Sequence, residues 1–266
     1  APPMAGSNKV HGAPLGAEEI ARAKEAMGVP KDEQFWVSPA AKAFFSTRRS
    51  ELAAERSAWE LRYKAWRDVH PELAKRLDAA LKGEALEAVD WPKFKAGESI
   101  ATRAASGKAL LAAERAWPQL VGGSADLTGP NSTQLSGEPY SRTRRDGRMI
   151  HYGIREHAMA AISNGIALHG GYRPFCATFL VFADYLRPSL RLSALMGLPV
   201  IYVLTHDSVF VGEDGPTHQP IEHLASLRAI PNVQVLRPAD AEETVEAWAW
   251  ALARKDGPTV LALSRQ

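Results

Sequence analysis

Cysteine is nearly absent from this chain. Cys176 is its only one, so no internal disulfide can form, which fits a reducing compartment. An excess of charge of one sign is missing too. Lys and Arg total 32 against 30 for Asp and Glu, a formal charge of +2, so neither a nucleic-acid tract nor a basic membrane face is indicated. No apolar run approaches the roughly 20 residues of a membrane span, and no signal peptide opens the chain. Also lacking are a GxxxxGK[ST] phosphate loop, a GxSxG elbow and the His/Cys spacing of a zinc site. No metal site is therefore expected from the residues present. The opening APPMAGSNKV has no initiator methionine and reads as the interior of something longer. A cytoplasmic location is the expectation.

What the chain does have is enough length, at 266 residues, and enough apolar content, at 45 %, to bury a full core. One large domain with a substantial appendage is expected. The segment 17–28 reads as a short helix with carboxylates in its first turn and a glycine stop. Pro39 to Lys82 reads as a long helical stretch interrupted near His70-Pro71. Trp59, Tyr63 and Trp66 recur there at helical spacing, an aromatic stripe suited to packing against a neighbouring domain. Residues 1–98 read as a linker region rather than an independent fold.

From Ser99 onward helix and strand patterns alternate. Strands are expected at 120–122, 148–152, 174–180, 199–207, in NVQVLRP and at 258–264. Helices are expected at 100–117, from about 156 to 168, in FADYLRPSLRLSALMG, at 221–228 and at 239–254. PVIYVLTHD is apolar until its end, as suits a buried parallel strand. The pattern over 99–266 implies an α/β fold, a doubly wound and mainly parallel sheet flanked by helices. Ligands of such sheets sit at the carboxyl ends of the strands. That rule selects Asp126, Phe179, His206, Asp207 and Arg265.

Two segments concentrate chemistry, HYGIREHAM at 151–159 and GEDGPTHQP at 212–220. Glu156 stands at a helix start, where a carboxylate is either a surface group favoured by the dipole or a buried acid that shares a proton with a ring nitrogen. Neighbouring Arg155 could pair with it, which leaves the direction of its shift open. Phe179, Phe182 and Tyr185 are core aromatics or a stacking pocket for a planar ring. His206, after IYVLT, is a ligand contact or a loop hydrogen bond. Asp214 and His218 sit in a loop stiffened by Gly212, Gly215, Pro216 and Pro220. Arg103 and Arg265 suit phosphate or sugar oxygens, or form surface ion pairs. His11 is uninterpretable from spacing alone.

In order, HGAPLGAEEI, GGSADLTG, HYGIREHAMAAISNGIALHGG, ATFLVFADYLRPSLRLSALM, THDSVFVGEDGPTHQPIEHLASLRAIPNV and DGPTVLALSRQ resemble the transketolase family of thiamine diphosphate enzymes. The resemblance covers nearly all of 11–266 and is weakest near 31–98. It implies that 1–98 is the end of a diphosphate-binding domain plus a helical interdomain linker, and that 99–266 is the pyrimidine-binding domain. The glycine-rich GDG…N segment that holds Mg²⁺ and the diphosphate has no counterpart here, nor has a C-terminal domain. The expectation is a fragment of a longer polypeptide or one subunit of a split enzyme, with the Mg²⁺ ligands in the absent part of the N-terminal domain.

The resemblance further implies roles. Glu156 matches the glutamate that protonates the cofactor's aminopyrimidine. Phe179, Phe182 and Tyr185 match the pocket around that ring, and Asp126 a cofactor-side carboxylate. His218 and His11 match histidines near the reacting carbon, in contact with cofactor and substrate. Asp214 matches the reader of a substrate hydroxyl, and Arg103, His206 and Arg265 the grip on a sugar phosphate. Gly129-Pro130 stands where many members carry a phosphate-binding serine, with Ser132 as the substitute. The implied activity is transfer of a two-carbon ketol unit from a ketose phosphate to an aldose phosphate, as in the pentose phosphate pathway and the Calvin cycle, by a homodimer with cofactor at its interface. A dihydroxyacetone synthase shares these motifs, and the isolated chain could instead be a non-catalytic binding or assembly module.

Overall fold

The computed structural model describes residues 4–265, which fall into two units, one up to His70 and one from Pro71. The first unit holds a short turn at Asn8–Val10, helix α1 (Ala17–Ala26) and the long helix α2 (Pro39–Val69). Ser38 caps α2 by accepting from the Ala41 amide, and Pro39 opens it, where a missing N–H costs nothing. No residue of α2 is buried, so local side-chain pairs hold it. Arg56 reaches Glu60 at 2.7 Å, and Trp59, Tyr63 and Trp66 stack at 4.9 and 5.8 Å with Arg56 and Arg67 over the rings.

The second unit begins with α3 (Pro71–Lys82), so the expected break at His70-Pro71 is present. It continues through α4 (Thr102–Ala116), β1 (Leu120–Ser124), α5 (Thr128–Asn131), α6 (Glu156–His169), β2 (Arg173–Phe179), α7 (Ala183–Leu195) and β3 (Ile201–Thr205). Then come α8 (His223–Arg228), β4 (Gln234–Leu236), α9 (Ala241–Ala253) and β5 (Thr259–Leu263). The strands form one parallel sheet in the order β1-β2-β3-β5-β4.

Strand residues alternate faces, and the core divides accordingly. Phe175, Ala177, Ile201, Val203, Leu261 and Leu263 pack with α4 and α9, where Trp248 is fully buried and donates to Ser106 Oγ at 2.8 Å. Cys176, Tyr202, Leu204 and Val260 pack with Met159 of α6, Leu186 and Leu190 of α7 and Leu227 of α8. Helices thus cover both faces, as the apolar strands require. Among the described residues no helix is long and apolar enough to cross a membrane.

One sequence expectation changes. Residues 148–152 form no strand. They run beside β1 with a single bridge, Met149 to Gly122, and the bonds Gly122 N–H to Arg148 O and Ile150 N–H to Gly122 O. The chain diverges after Ile150, where the next bond, Tyr152 N–H to Ser124 O, has stretched to 3.4 Å.

That close approach depends on glycine. A Cβ at Gly123 would lie 2.1 Å from the Ile150 carbonyl oxygen, whereas one at Gly129 would meet nothing within 4 Å. Gly123→Ala is expected to lower unfolding stability by about 2 kcal/mol or more, with Gly129→Ala inside about 1 kcal/mol of the parent. Equal urea midpoints for the two variants would show that the β1 edge is not tightly closed.

Candidate active site

A cavity of about 550 Å³ opens at the carboxyl edge of the sheet. Ala125, Asp126 and Leu127 after β1 line one side. Ile154 and Glu156 line the head of α6, Phe179, Phe182 and Tyr185 follow β2, and His218 comes from the loop after β3. Asp126 is exposed and left-handed (φ 62°), a sparsely populated conformation that turns the chain sharply off β1.

Glu156 is the first residue of α6 and only 8 % exposed. The ambiguity over Arg155 resolves: that guanidinium donates back to the Tyr152 carbonyl at 2.9 Å. Among the described residues no donor reaches the Glu156 carboxylate, so it meets the cavity with its oxygens unspent.

The aromatic wall is ordered. Phe179 and Phe182 lie parallel, centroids 5.7 Å apart and 10° between planes, and Tyr185 follows at 6.1 Å from Phe182. His218 meets both Phe rings edge-on, at 5.2 Å from Phe182 and 6.0 Å from Phe179. Phe179 is buried and Tyr185 exposed, so the wall grades from core to rim.

His206 stacks on Phe179 at 3.7 Å and belongs to an adjoining polar cluster. It too is left-handed, at φ 59°. Its Nε2 lies 3.8 Å from Asp214 Oδ2, a buried oxygen with no hydrogen-bond partner. Arg103 donates to the Pro130 carbonyl at 2.7 Å, within the Gly129-Pro130 segment. Arg265 donates to Val211 O at 2.9 Å and to Glu213 Oε2 at 3.0 Å. Burial, and then the charge of Arg265, holds the Arg103 guanidinium below its ordinary value. Burial first, then Arg103, pushes the His206 ring down to about 4 against the opposing pull of Asp214.

Other residues singled out in the sequence lie elsewhere. Asp207 turns from the cavity and is held by Arg237 at 2.6 Å. Ser132, left-handed at the end of α5, sets its backbone against Gly107 of α4. His11 is exposed at the end of the Asn8–Val10 turn in the first unit. Sequence reasoning missed the buried chain of Ser124, Asn131, Thr133 and Thr205 behind His206. It also missed His223, which meets Asp184 at 3.1 Å and so ties the start of α8 to α7. Asp184, Glu222 and His223 place potential metal-ligand atoms within 4.8 Å of one another. Asp184 is already paired with Arg187 at 2.7 Å, which accounts for that grouping as an ion-pair cluster.

Residues 98–266 match the family model described as the transketolase pyrimidine binding domain, and residues 1–86 match the transketolase thiamine diphosphate binding domain. Over its whole length the chain is 52 % identical to a transketolase of Treponema pallidum, covering 41 % of that protein. The structure of transketolase from Leishmania mexicana superposes with a TM-score of 0.90 at 43 % identity, over 96 % of this chain and 38 % of that one. A Pichia stipitis transketolase complexed with sedoheptulose 7-phosphate gives 0.89 at 40 % identity, over 96 % and 39 %. The chain therefore spans about two fifths of the length of these relatives.

The depressed value for His206 has a measurable consequence. An unfolded histidine binds its proton near pH 6.5, so on acidification the unfolded chain takes it up first. The contribution of this group to stability is whole above about pH 6.5 and is lost as pH falls toward about 4. An NMR titration of the ring is expected to show a midpoint near 4. A midpoint near 6.5 would contradict the burial argument.

Proposed function

The chain belongs to the transketolase family, and on that premise we propose that it supplies the pyrimidine-binding side of a thiamine diphosphate-dependent transfer of a two-carbon ketol unit between sugar phosphates. The observation that carries this reading is Glu156: a nearly buried, unpartnered carboxyl at the end of a cavity walled by two parallel phenylalanine rings. Apolar faces around a single acid fit a planar heteroaromatic ring with a basic nitrogen at its edge.

When bound, thiamine diphosphate supplies the nucleophilic carbon and electron sink for breaking and making a carbon–carbon bond beside a carbonyl. The residues of this chain do the rest on its side of the site. Glu156 holds a proton on a carboxyl oxygen and shares it with the ring nitrogen. Phe179, Phe182 and Tyr185 grip the ring and exclude water, and Asp126 borders it. His218, edge-on to the same rings, stands between ring and substrate. Asp214 accepts from a substrate hydroxyl, and His206 joins the two arginines in the grip on the phosphate. Arg103 and Arg265 offer two positive charges to the phosphate, with guanidinium geometry suited to its oxygens. His11 is assigned to the reacting carbon by the family resemblance. The same resemblance supports a homodimer and a Mg²⁺ requirement.

In the active enzyme, Glu156→Gln is expected to slow exchange of the cofactor's C2 proton by at least about 100-fold, with the circular dichroism spectrum unchanged. Exchange at the parent rate would remove Glu156 from its role. Mixing the purified chain with thiamine diphosphate and Mg²⁺ and assaying ketol transfer tests whether this side of the site works alone. Turnover is expected to require the remaining diphosphate-binding part, and robust turnover without it would overturn that division of labour.

A further inference from the structure

The loop between β3 and α8 has little internal structure. Residues 208–221 contain no regular element longer than the three-residue turns Val209–Val211 and Pro216–His218. Among the described residues every hydrogen bond between backbone groups of this stretch stays within it, as in Gly215 N–H to Gly212 O and His218 N–H to Gly215 O. Side chains anchor it instead. Arg265 grips its first half through Val211 O and Glu213 Oε2. Its second half, which carries His218 to the cavity, runs into His223, the first residue of α8.

His223 is buried, and among the described residues its ring makes one hydrogen bond. Nε2 meets Asp184 Oδ2 at 3.1 Å, while Nδ1 has no partner and stands 3.8 Å from Glu222 Oε2, beyond hydrogen-bond reach. A carboxylate only accepts, so Nε2 carries the proton and the direction of the bond is fixed. Asp184 is the second residue of α7, and its other oxygen takes Arg187 at 2.7 Å, so both of its oxygens are used. Phe182 lies two residues before it and Tyr185 one after, and both line the cavity together with His218. One directed bond thus joins the two segments that supply these three side chains. Leu227 of α8 also shares an apolar cluster with Leu186 and Leu190 of α7, but that attraction has no direction and does not fix the head of α8.

We infer that His223 and Asp184 are positioning residues that clasp the His218 loop to the head of α7, so that Phe182, Tyr185 and His218 are set against one another before a ring enters the cavity. The edge-on contact of His218 with Phe182 at 5.2 Å is the geometry so held. A wall assembled in advance spares the ligand the work of ordering it, so the clasp acts on affinity and not on the chemistry that follows. The inference rests on the proposed reading of the cavity for the identity of the ring, but not for the clasp.

Two variants test it. His223→Leu removes the donor and keeps an apolar body in a buried place, while His223→Gln returns an amide N–H near the position of Nε2. In the full chain, nuclear Overhauser contacts between the His218 and Phe182 rings are expected in the parent and in His223→Gln and lost in His223→Leu, with the His218 signals assigned by their loss in His218→Asn. In the active enzyme, His223→Leu is expected to raise the thiamine diphosphate concentration for half-saturation at least about 10-fold, with His223→Gln within about threefold of the parent. At saturating cofactor, kcat is expected within about threefold of the parent in both variants, a split that a merely stabilising contact would not produce. Parental ring contacts or parental cofactor affinity in His223→Leu would overturn the inference, as would a Gln variant no better than Leu. Should His223→Leu fail to fold, Asp184→Ser, at the more exposed end of the same bond, carries the same expectations. Should the parent enzyme itself not respond to thiamine diphosphate, ring contacts that change as described would sink the functional reading and leave the clasp standing.

Discussion

Parallel register governs this site. Phe179 lies opposite Thr205, and Thr205 opposite Leu263, so β2, β3 and β5 end at one level. The residues just beyond that level, among them His206 and Arg265, are neighbours because the ladder makes them so. Ser124 pairs with Ala177, and the Ala125 amide bonds the Ala177 carbonyl, which fixes the start of the loop carrying Asp126 and Asn131. A slip of one residue in any of these pairs would exchange the faces of the strand. His206 would then leave the rim, and the core would lose its division between the two helical layers.

The carboxyl edge of the sheet is polarised between the cavity and the polar cluster beside it. In the cavity, among the described residues no ion pair reaches the Glu156 carboxyl, and one wall is the pair Phe179 and Phe182. Around His206 the charges of Arg103, Asp214 and Arg265 all act on the ring. Burial keeps the histidine neutral there, since a third positive charge would face both arginines out of water. Guanidinium groups suit anionic oxygens, so this cluster favours an anion. An aromatic-walled cavity and a cationic cluster thus stand side by side on one rim.

Much of this was legible in the sequence, for physical reasons. Buried parallel strands read as apolar runs, so the strands expected at 199–207 and 258–264 declared themselves, and the aromatic and titratable residues at strand ends followed from the topology. Residues 148–152 misled because extended backbone beside a sheet has the same pattern as a strand, whether or not the ladder continues. The orientation of Arg155 was undecidable, since nothing local says that a guanidinium will fold back on a carbonyl three residues earlier. The Asn131–Thr205 contact left no signal at all. It joins positions 74 residues apart, and a threonine ending an apolar strand looks like core while an asparagine in a Gly-Pro loop looks like a turn.

The left-handed backbone at His206 also bears on how the protein can change over generations. Only glycine, asparagine, aspartate and a few others adopt that conformation readily, and β-branched side chains are nearly shut out. The alphabet open to mutation at the centre of the polar cluster is therefore short, and Phe179 stacked against it shortens it again by size. Lineages that drift toward new acceptors would leave this position alone. They would vary its neighbours at 214 and 265, whose backbones carry no such restriction.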